Sequence, residues 1–371
     1  MRPVHVLMKP SSGNCNMRCD YCFYYDTMEK RERSSFGYMS IETLEEVLKK
    51  TLSSAAGSYS ITFQGGEPTL SGLEFYRKVV EFEKKYNINR VPIYNAIQTN
   101  GYHLTEEWAN FFKENDFLVG VSLDGKQRFH DRFRKNIKGE GTFECVMNNI
   151  HLLERKGVDF NILSVVNGKT ALHIQKNYEF YKKNHFSYLQ FIACLDPLGE
   201  ETGQQDFSLT PESYGGFLIE LFDLWYADLL EGKQPYIRQF ENYIAILLGQ
   251  MPESCDMRGV CSLQYVVEAD GSVYPCDFYV LDQYYLGNFV ENTMEEIDRK
   301  RTEIGYLEQS LLRAESCNTC KYKGICRGGC RRSRDEESHQ QYFCRSYQMF
   351  FDACLPKMLH IAERIRRISR P

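Results

Sequence analysis

Three cysteines within eight residues, Cys15-x-x-x-Cys19-x-x-Cys22, follow an apolar run at Val4–Met8. Three thiolates are one too few for a closed tetrahedral zinc site or for a four-iron cubane with every iron ligated. A cubane held by three cysteines keeps one iron open to a further ligand, which suits a reactive centre. A zinc knuckle completed by His5 or another side chain is the alternative. A second set comprises Cys255, Cys261, Cys276, Cys317, Cys320, Cys326, Cys330 and Cys344. From Cys261 it reads C-x9-G-x4-C and, after a gap, C-x2-C-x5-C-x3-C. Eight thiolates suit two fully ligated four-iron clusters or two zinc sites, because spacing does not identify the metal. Of the 14 cysteines, only Cys145, Cys194 and Cys354 lie outside these sets, and they read as small buried hydrophobes.

Loops carrying such ligands need a scaffold. Short apolar runs rich in β-branched and aromatic residues predict strands at Val4–Met8, Ser60–Gln64, Pro92–Gln98, Leu118–Leu123, Phe160–Val166 and Tyr188–Ile192. Helical periodicity separates them at Ile41–Ala56, Gly72–Tyr86, Glu106–Asn115, Phe143–Lys156 and Ala171–Lys183. Ser40 and Thr105 stand where N-caps belong. The alternation predicts a parallel sheet with helices outside it. Six units are two short of a complete barrel, so the expected α/β fold is a partial (β/α)6 TIM-like barrel, with a doubly wound sheet as the alternative.

Both folds put chemistry at the C-terminal ends of the strands, and the sequence puts polar residues there. They are Lys9 with the Cys15 loop, Gln64-Gly65-Gly66-Glu67-Pro68, Gln98-Thr99-Asn100-Gly101, Ser122 with Asp124-Gly125, and Cys194-Leu195-Asp196-Pro197. Beyond about residue 205 the pattern changes. Helices are expected at Pro211–Leu230 and Phe240–Leu248, a hairpin at Gln264–Glu268 and Val273–Tyr274 around Asp270-Gly271, and a closing helix at Tyr347–Arg367. We divide the chain into a barrel at 1–235 and a cysteine-rich C-terminal domain at 236–371.

With 371 residues, 43% of them hydrophobic, the chain can build a sizeable core. A net charge of −5 gives no global signature of nucleic-acid or membrane-surface binding. The most apolar segment, Phe217–Leu230, is short and interrupted by Glu220, Asp223 and Asp228, so no membrane span is expected. MRPVHVLMKPSSG carries no secretory h-region, so the expected compartment is the cytoplasm, where clustered cysteines argue for metal over disulfides.

CxxxCxxC with Tyr21 before its last cysteine, together with Gly65-Gly66-Glu67-Pro68 after the second strand, resembles the radical S-adenosylmethionine (radical SAM) enzymes. In that family the open iron chelates the methionine part of SAM, and the Gly-Gly-Glu segment lies against its amino group. Gly65 and Gly66 would let backbone approach such a ligand closely. The second cysteine set resembles the SPASM domain of peptide-modifying radical SAM enzymes. Together these resemblances imply three [4Fe-4S] clusters: one on Cys15, Cys19 and Cys22, a first auxiliary on Cys255, Cys261, Cys276 and Cys330, and a second on Cys317, Cys320, Cys326 and Cys344.

Cys22-Phe23-Tyr24, Phe63–Leu70, Gln98–Gly101, Leu189-Gln190-Phe191, Cys194–Leu198 and above all Tyr274-Pro275-Cys276-Asp277-Phe278-Tyr279 are similar to the anaerobic sulfatase-maturating enzymes. Those enzymes oxidise a cysteine or serine of a sulfatase's active-site motif to Cα-formylglycine. The β-carbon hydrogen is unactivated, so a 5′-deoxyadenosyl radical is needed to remove it. The resemblance marks Asp277 as the base for the substrate's thiol or hydroxyl proton, and Tyr21, Gly66, Ser122, Arg134 and Leu195 as SAM contacts. Burial among Tyr274, Phe278 and Tyr279 would raise the Asp277 pKa toward neutrality. Read without the family, Asp277 is an acceptor for backbone or cluster-ligand hydrogen bonds. Tyr24, Gln64 and Gln98 are candidates for peptide contacts.

Expected partners are an unfolded sulfatase or peptide and a flavodoxin- or ferredoxin-type electron donor. No nucleic acid or membrane is expected, and the expected state is a monomer. With the motif starting at Cys15, no preceding peptide-recognition domain is expected. The rival readings are a maturase forming a thioether or other crosslink in a different peptide, a small-molecule dehydrogenase built of the same modules, and a zinc-stabilised scaffold without catalysis.

Overall fold

A computed structural model describes residues 2–368. The chain falls into two compact units. One holds the residues up to Leu123 with His130–Asn161 and Leu263–Tyr306; the other holds Asp124–Phe129, Ile162–Ser262 and the residues from Leu307 on.

In the first unit the strand Arg2–Met8 pairs in parallel with Ala55–Phe63, that strand with Ile93–Thr99, and that one with Leu118–Ser122. Helices Ile41–Ser53, Leu73–Tyr86, Glu106–Glu114 and Phe143–Lys156 alternate with or follow these strands. The expected caps form: Ser40 Oγ accepts from Thr43 N at 3.1 Å and Thr105 Oγ1 from Trp108 N at 3.4 Å. Between sheet and helices, Tyr76 meets Phe63 at 5.0 Å and Trp108 at 5.2 Å edge to face, contacts worth about 0.5–1.5 kcal/mol each beyond burial.

Most element ends differ from the expectation by one to three residues, and the largest difference lies between the first long helix and the next strand. The first long helix ends at Ser53, not Ala56, and the next strand begins at Ala55, not Ser60. The hydroxyls of Ser53 and Ser54 turn back onto the carbonyls of Lys49 and Lys50, and Gly57 takes φ 86°, outside the helical region.

The Asp270-Gly271 hairpin forms as Tyr265–Val267 and Ser272–Tyr274, with Gly271 at φ 89°. Its first strand also lies in parallel on Arg2–Met8, with Val6, Leu7 and Met8 opposite Tyr265, Val266 and Val267. Lys9 N then donates to Val267 O at 2.8 Å, so the C-terminal hairpin and the start of the cysteine loop share one sheet edge. Sequence reading missed the helix Met294–Glu303, although its Thr293/Glu296 capping box is present in the sequence.

Glu83, on the helix Leu73–Tyr86, is buried with Asn95 Nδ2 donating to its Oε2 at 3.2 Å. Glu83 Oε1 and Asn95 Oδ1 both lack a hydrogen-bond partner. Burial pushes this carboxyl from 4.5 to about 7. The folded chain therefore holds a proton that the unfolded chain has lost between these values. Stability falls as pH rises from about 4.5 to about 7 and is flat above, a cost on the order of 3 kcal/mol. We expect Glu83→Gln to stabilise the protein at pH 8 and to change little at pH 4.5. Anaerobic denaturant unfolding at the two pH values checks this, and equal effects at both would contradict it.

In the second unit the strand Phe160–Val166, from Ile162 on, pairs in parallel with Tyr188–Ala193, which pairs in parallel with Tyr236–Ile237. Helix Pro211–Leu230 packs along Cys344–Ile368 through Tyr214 on Tyr347 at 6.2 Å and Phe222 on Phe350 at 5.8 Å. Ser346 Oγ donates to Pro211 O at 2.6 Å, and Lys357 pairs with Asp223 at 2.6 Å. Among the described residues no helix is long and apolar enough to cross a membrane.

Candidate active site

The cysteine loop leaves the strand Arg2–Met8 and is pressed onto the end of Ala55–Phe63. Gly66 N donates to Ser12 O and Glu67 N to Asn14 O, both at 2.8 Å. A Cβ on Gly66 would stand 2.0 Å from Asn14 O, and one on Gly65 2.8 Å from Ser12 O. Glycine is needed here so that loop backbone can lie on strand-end backbone. This reason stands beside the ligand approach read from the sequence.

Within the loop, Cys22 N donates to Cys19 O at 3.1 Å, and Cys22 is the N-cap of the helix Phe23–Glu29, which the sequence reading had left out. Cys15 Sγ accepts from Met17 N at 3.4 Å and from Asn100 Nδ2 at 3.6 Å. Solvent reaches Cys15, yet protein crowds it from most sides. Burial, followed by the charge of Glu67, pushes its thiol up to about 12. Glu67 is fully buried and accepts from Thr69 N at 3.1 Å, Thr69 Oγ1 at 2.6 Å, Thr99 Oγ1 at 2.8 Å and Asn100 N at 2.7 Å. The short antiparallel pair Met17–Cys19 with Arg134–Asn136 brings Arg134 NH1 to Tyr21 OH at 3.1 Å. Ser122 is half-buried at the end of Leu118–Ser122 and Gln98 half-buried on Ile93–Thr99.

Asp277 is buried in the same unit and shares its Oδ2 among donors. Tyr24 OH donates to it, Gln64 Nε2 donates to it at 3.0 Å, and Gln64 also bonds Tyr24 OH. Asp277 Oδ1 has no hydrogen-bond partner, and Lys9 Nζ stands 3.8 Å away. Lys9 is 2% exposed and pairs with Glu268, itself 0% exposed, at 3.3 Å; Arg31 reaches the same Glu268 oxygen at 2.8 Å. Two cations and two carboxylates thus form a buried chain, Arg31–Glu268–Lys9–Asp277.

Burial raises Asp277 above the usual carboxylate range, opposed by the charge of Lys9 and the Tyr24 hydrogen bond. Burial also acts on Glu268, but Lys9 and Arg31 outweigh it and hold Glu268 below the usual range. Tyr24 rises well above 10 through burial and the Asp277 charge, so it serves as a donor. The sequence reading named Asp277, Tyr24 and Gln64 but not Glu268 or Arg31. The available signal was an acid within the apolar hairpin run Tyr265-Val266-Val267-Glu268-Ala269.

In the second unit Cys317, Cys320, Cys326 and Cys344 line one cavity of about 580 Å³. Burial pushes the Cys326 thiol up to about 11, with Cys344, Cys317 and Cys320 among the charges that add to it. Burial raises the Cys255 thiol, with the charges of Asp256 and Cys261 adding to it, and Cys330 Sγ accepts from Arg332 N at 3.4 Å. Cys276 lies in the first unit and Leu195, half-buried after Tyr188–Ala193, in the second. Arg332 NH2 ties the neighbouring Asp196 O at 2.7 Å. Cys194 and Cys354 are buried, and Cys145 donates to Tyr102 O at 3.0 Å.

The thiols fit iron–sulfur ligation by chemistry and by surroundings. N–H donors aim at Cys15 sulfur, as they would at a thiolate. In the second unit Arg313 and Arg334 are half-buried and bond only backbone carbonyls, both reaching Ser310 O and Leu312 O. Burial lowers both guanidinium pKa values. The charges that counter this belong to Cys317, Cys261 and Cys326 for Arg313, and to Cys330, Cys261 and Cys317 for Arg334. The cysteine charges therefore act to stabilise both cations. Among the described residues no three Cys, His, Asp or Glu side chains converge as ligands of a single ion do.

Comparison with known proteins agrees with this chemistry. The Radical SAM superfamily model matches residues 10–181, and an iron-sulfur cluster-binding domain model, SPASM, matches residues 255–321. The cysteine-type anaerobic sulfatase-maturating enzyme of Clostridium novyi is 44% identical over 98% of this chain and 99% of its own length. The serine-type enzyme of Bacteroides thetaiotaomicron is 35% identical over 100% of this chain and 94% of its own length. A solved structure of native anSMEcpe with bound AdoMet and the Cp18Cys peptide matches with TM-score 0.92 at 45% identity, covering 98% of this chain and 99% of that one. The fold is accordingly the expected one, a partial parallel α/β barrel with a C-terminal SPASM region.

Proposed function

The chain belongs to the anaerobic sulfatase-maturating enzymes of the radical SAM superfamily, and from that membership we propose that its substrate is a sulfatase-type peptide whose active-site cysteine it oxidises to Cα-formylglycine. Greater identity to the cysteine-type than to the serine-type relative, 44% against 35%, supports cysteine as the target. The observation that carries the mechanism is Asp277, a buried carboxylate with one oxygen held by Tyr24 and Gln64 and the other without a hydrogen bond, 3.8 Å from the Lys9 ammonium.

When bound, SAM and the iron–sulfur clusters supply the radical that removes the β-hydrogen and the sink for the remaining electron. Asp277 Oδ1 takes the substrate thiol proton. Tyr24 and Gln64 hold Oδ2 so that Oδ1 faces the substrate. Lys9 keeps the carboxylate charged between turnovers, and Glu268 with Arg31 holds Lys9 in place. The resulting thioaldehyde hydrolyses to formylglycine and sulfide.

Tyr21, Gly66, Ser122, Arg134 and Leu195 are the residues we assign to SAM; the Arg134–Tyr21 bond supports grouping those two. Cys15, Cys19 and Cys22 would hold the cluster that binds SAM. The remaining eight cysteines would hold two auxiliary clusters, in the sets read from the sequence. We keep the 235/236 division between the barrel and SPASM portions, the cytoplasm as compartment, a flavodoxin- or ferredoxin-type donor and a monomer within the same proposal.

The test is an anaerobic assay of reconstituted protein with SAM, strong reductant and a peptide carrying Cys-x-Pro-x-Arg. Mass spectrometry follows the peptide and chromatography the 5′-deoxyadenosine. We expect an aldehyde in place of the thiol, formed together with deoxyadenosine. Deoxyadenosine without change in any sulfatase-type peptide would favour a maturase of other peptides. Neither product from iron-replete protein would sink the reading.

A further inference from the structure

We propose that Asn100 sets the reduction potential of the cluster on Cys15 by donating an N–H to that cysteine's sulfur. The inference rests on reading Cys15 as a cluster ligand. Asn100 is buried just after the strand Ile93–Thr99. Its Oδ1 accepts from Tyr102 N at 2.9 Å, which fixes the orientation of the amide and turns Nδ2 toward the cysteine loop. Nδ2 has two hydrogens. One meets Asn16 Oδ1 at 2.7 Å and the other Cys15 Sγ at 3.6 Å.

The backbone that carries the donor is held as well. Glu67 Oε2 grips Asn100 N at 2.7 Å and Glu67 Oε1 grips Thr99 Oγ1 at 2.8 Å. Gly101 N closes onto Thr99 Oγ1 at 3.1 Å. The buried Glu67 thus has a role within this chain apart from any contact with SAM: it locks the backbone that presents the Asn100 amide.

An N–H aimed at a ligand sulfur stabilises the reduced cluster, which carries one more negative charge, more than the oxidised one. Removing it must lower the potential and make the cluster harder to reduce. Asn100 is therefore a positioning residue for the electron that starts the reaction, and it touches neither substrate nor the reacting carbon in this account.

The experiment compares reconstituted wild-type protein with Asn100→Asp and Asn100→Ala. The aspartate keeps size and the acceptor for Tyr102 N but puts a negative charge where the donor stood, so it reports only whether the loop still holds iron; the alanine loses donor and acceptor without adding charge. An EPR-monitored redox titration follows the signal that changes when SAM is added, which distinguishes this cluster from others, and iron and sulfide are measured alongside. We expect Asn100→Ala to keep full iron and to show a reduced-to-oxidised ratio about three- to tenfold lower at a fixed poise, tenfold being about 59 mV for one electron. Deoxyadenosine formation should fall with limiting reductant and recover with a stronger one. An unchanged potential at full iron content would overturn the proposal. Loss of the cluster in both variants would also overturn it, leaving Asn100 a loop-holding residue. Cys15→Ala is the separate check. If it keeps the SAM-responsive signal, the ligand reading fails, independently of Asn100.

Discussion

Asp277→Asn lowers formylglycine formation by about 10²–10⁴-fold, the range of a lost general base, while SAM cleavage to deoxyadenosine continues. Asparagine retains an oxygen to accept from Tyr24 and Gln64, so the side chain stays in place without its basicity. The split between the two products is the informative readout. Loss of both would move Asp277 to an earlier step, and full turnover of the peptide would remove it from the mechanism. A second consequence follows from the buried charge chain. Arg31, Glu268, Lys9 and Asp277 sum to zero, and the substitution strands one cation. Breaking a buried pair costs about 3–5 kcal/mol at full strength, and the 3.8 Å separation from Lys9 puts the loss toward the lower end. Adding Lys9→Met should restore stability without restoring turnover. Anaerobic unfolding and mass spectrometry separate these effects.

Gly66→Ala is expected to abolish radical formation through geometry alone. Its Cβ would sit 2.0 Å from Asn14 O, a backbone atom of the loop between Arg2–Met8 and Cys15, so the loop must retreat by about 1 Å or more. Displacement of that size can cost about 10²-fold in an oriented reaction. Here it also breaks the Gly66–Ser12 and Glu67–Asn14 hydrogen bonds. Iron at the Cys15 loop and deoxyadenosine yield should fall together, with the four cysteines of the second-unit cavity unaffected. Wild-type deoxyadenosine yield from Gly66→Ala would show that the loop tolerates the shift.

Much of this site could be read from the chain because its chemistry is local in sequence. Cys15, Cys19 and Cys22 lie within one eight-residue segment, and Gly65-Gly66-Glu67 follows one strand. The helix Phe143–Lys156 and strand Phe160–Val166 fell where periodicity put them. Glu268 and Arg31 escaped notice because their meaning depends on a pairing across 237 residues, and each alone resembles ordinary surface charge. The reason for Gly65 and Gly66 was also out of reach. A glycine pair signals close approach, but only the packing identifies the approaching atoms as Ser12 O and Asn14 O. The hairpin was legible from Asp270-Gly271, whereas its attachment to the first strand was not, since a three-residue strand carries no address.

That attachment bears on how the protein is made. One edge of Arg2–Met8, with Val4, Val6 and Met8 among its apolar side chains, has its partner only in Tyr265–Val267. At about 5–20 residues per second, a ribosome needs roughly 10–50 s after finishing the first strand before the second can emerge. Throughout that interval the nascent chain carries an open strand edge, the surface through which chains add to one another. Premature termination anywhere between the two strands should yield an aggregating product. The folding of the first unit therefore waits on a segment from the last third of the message.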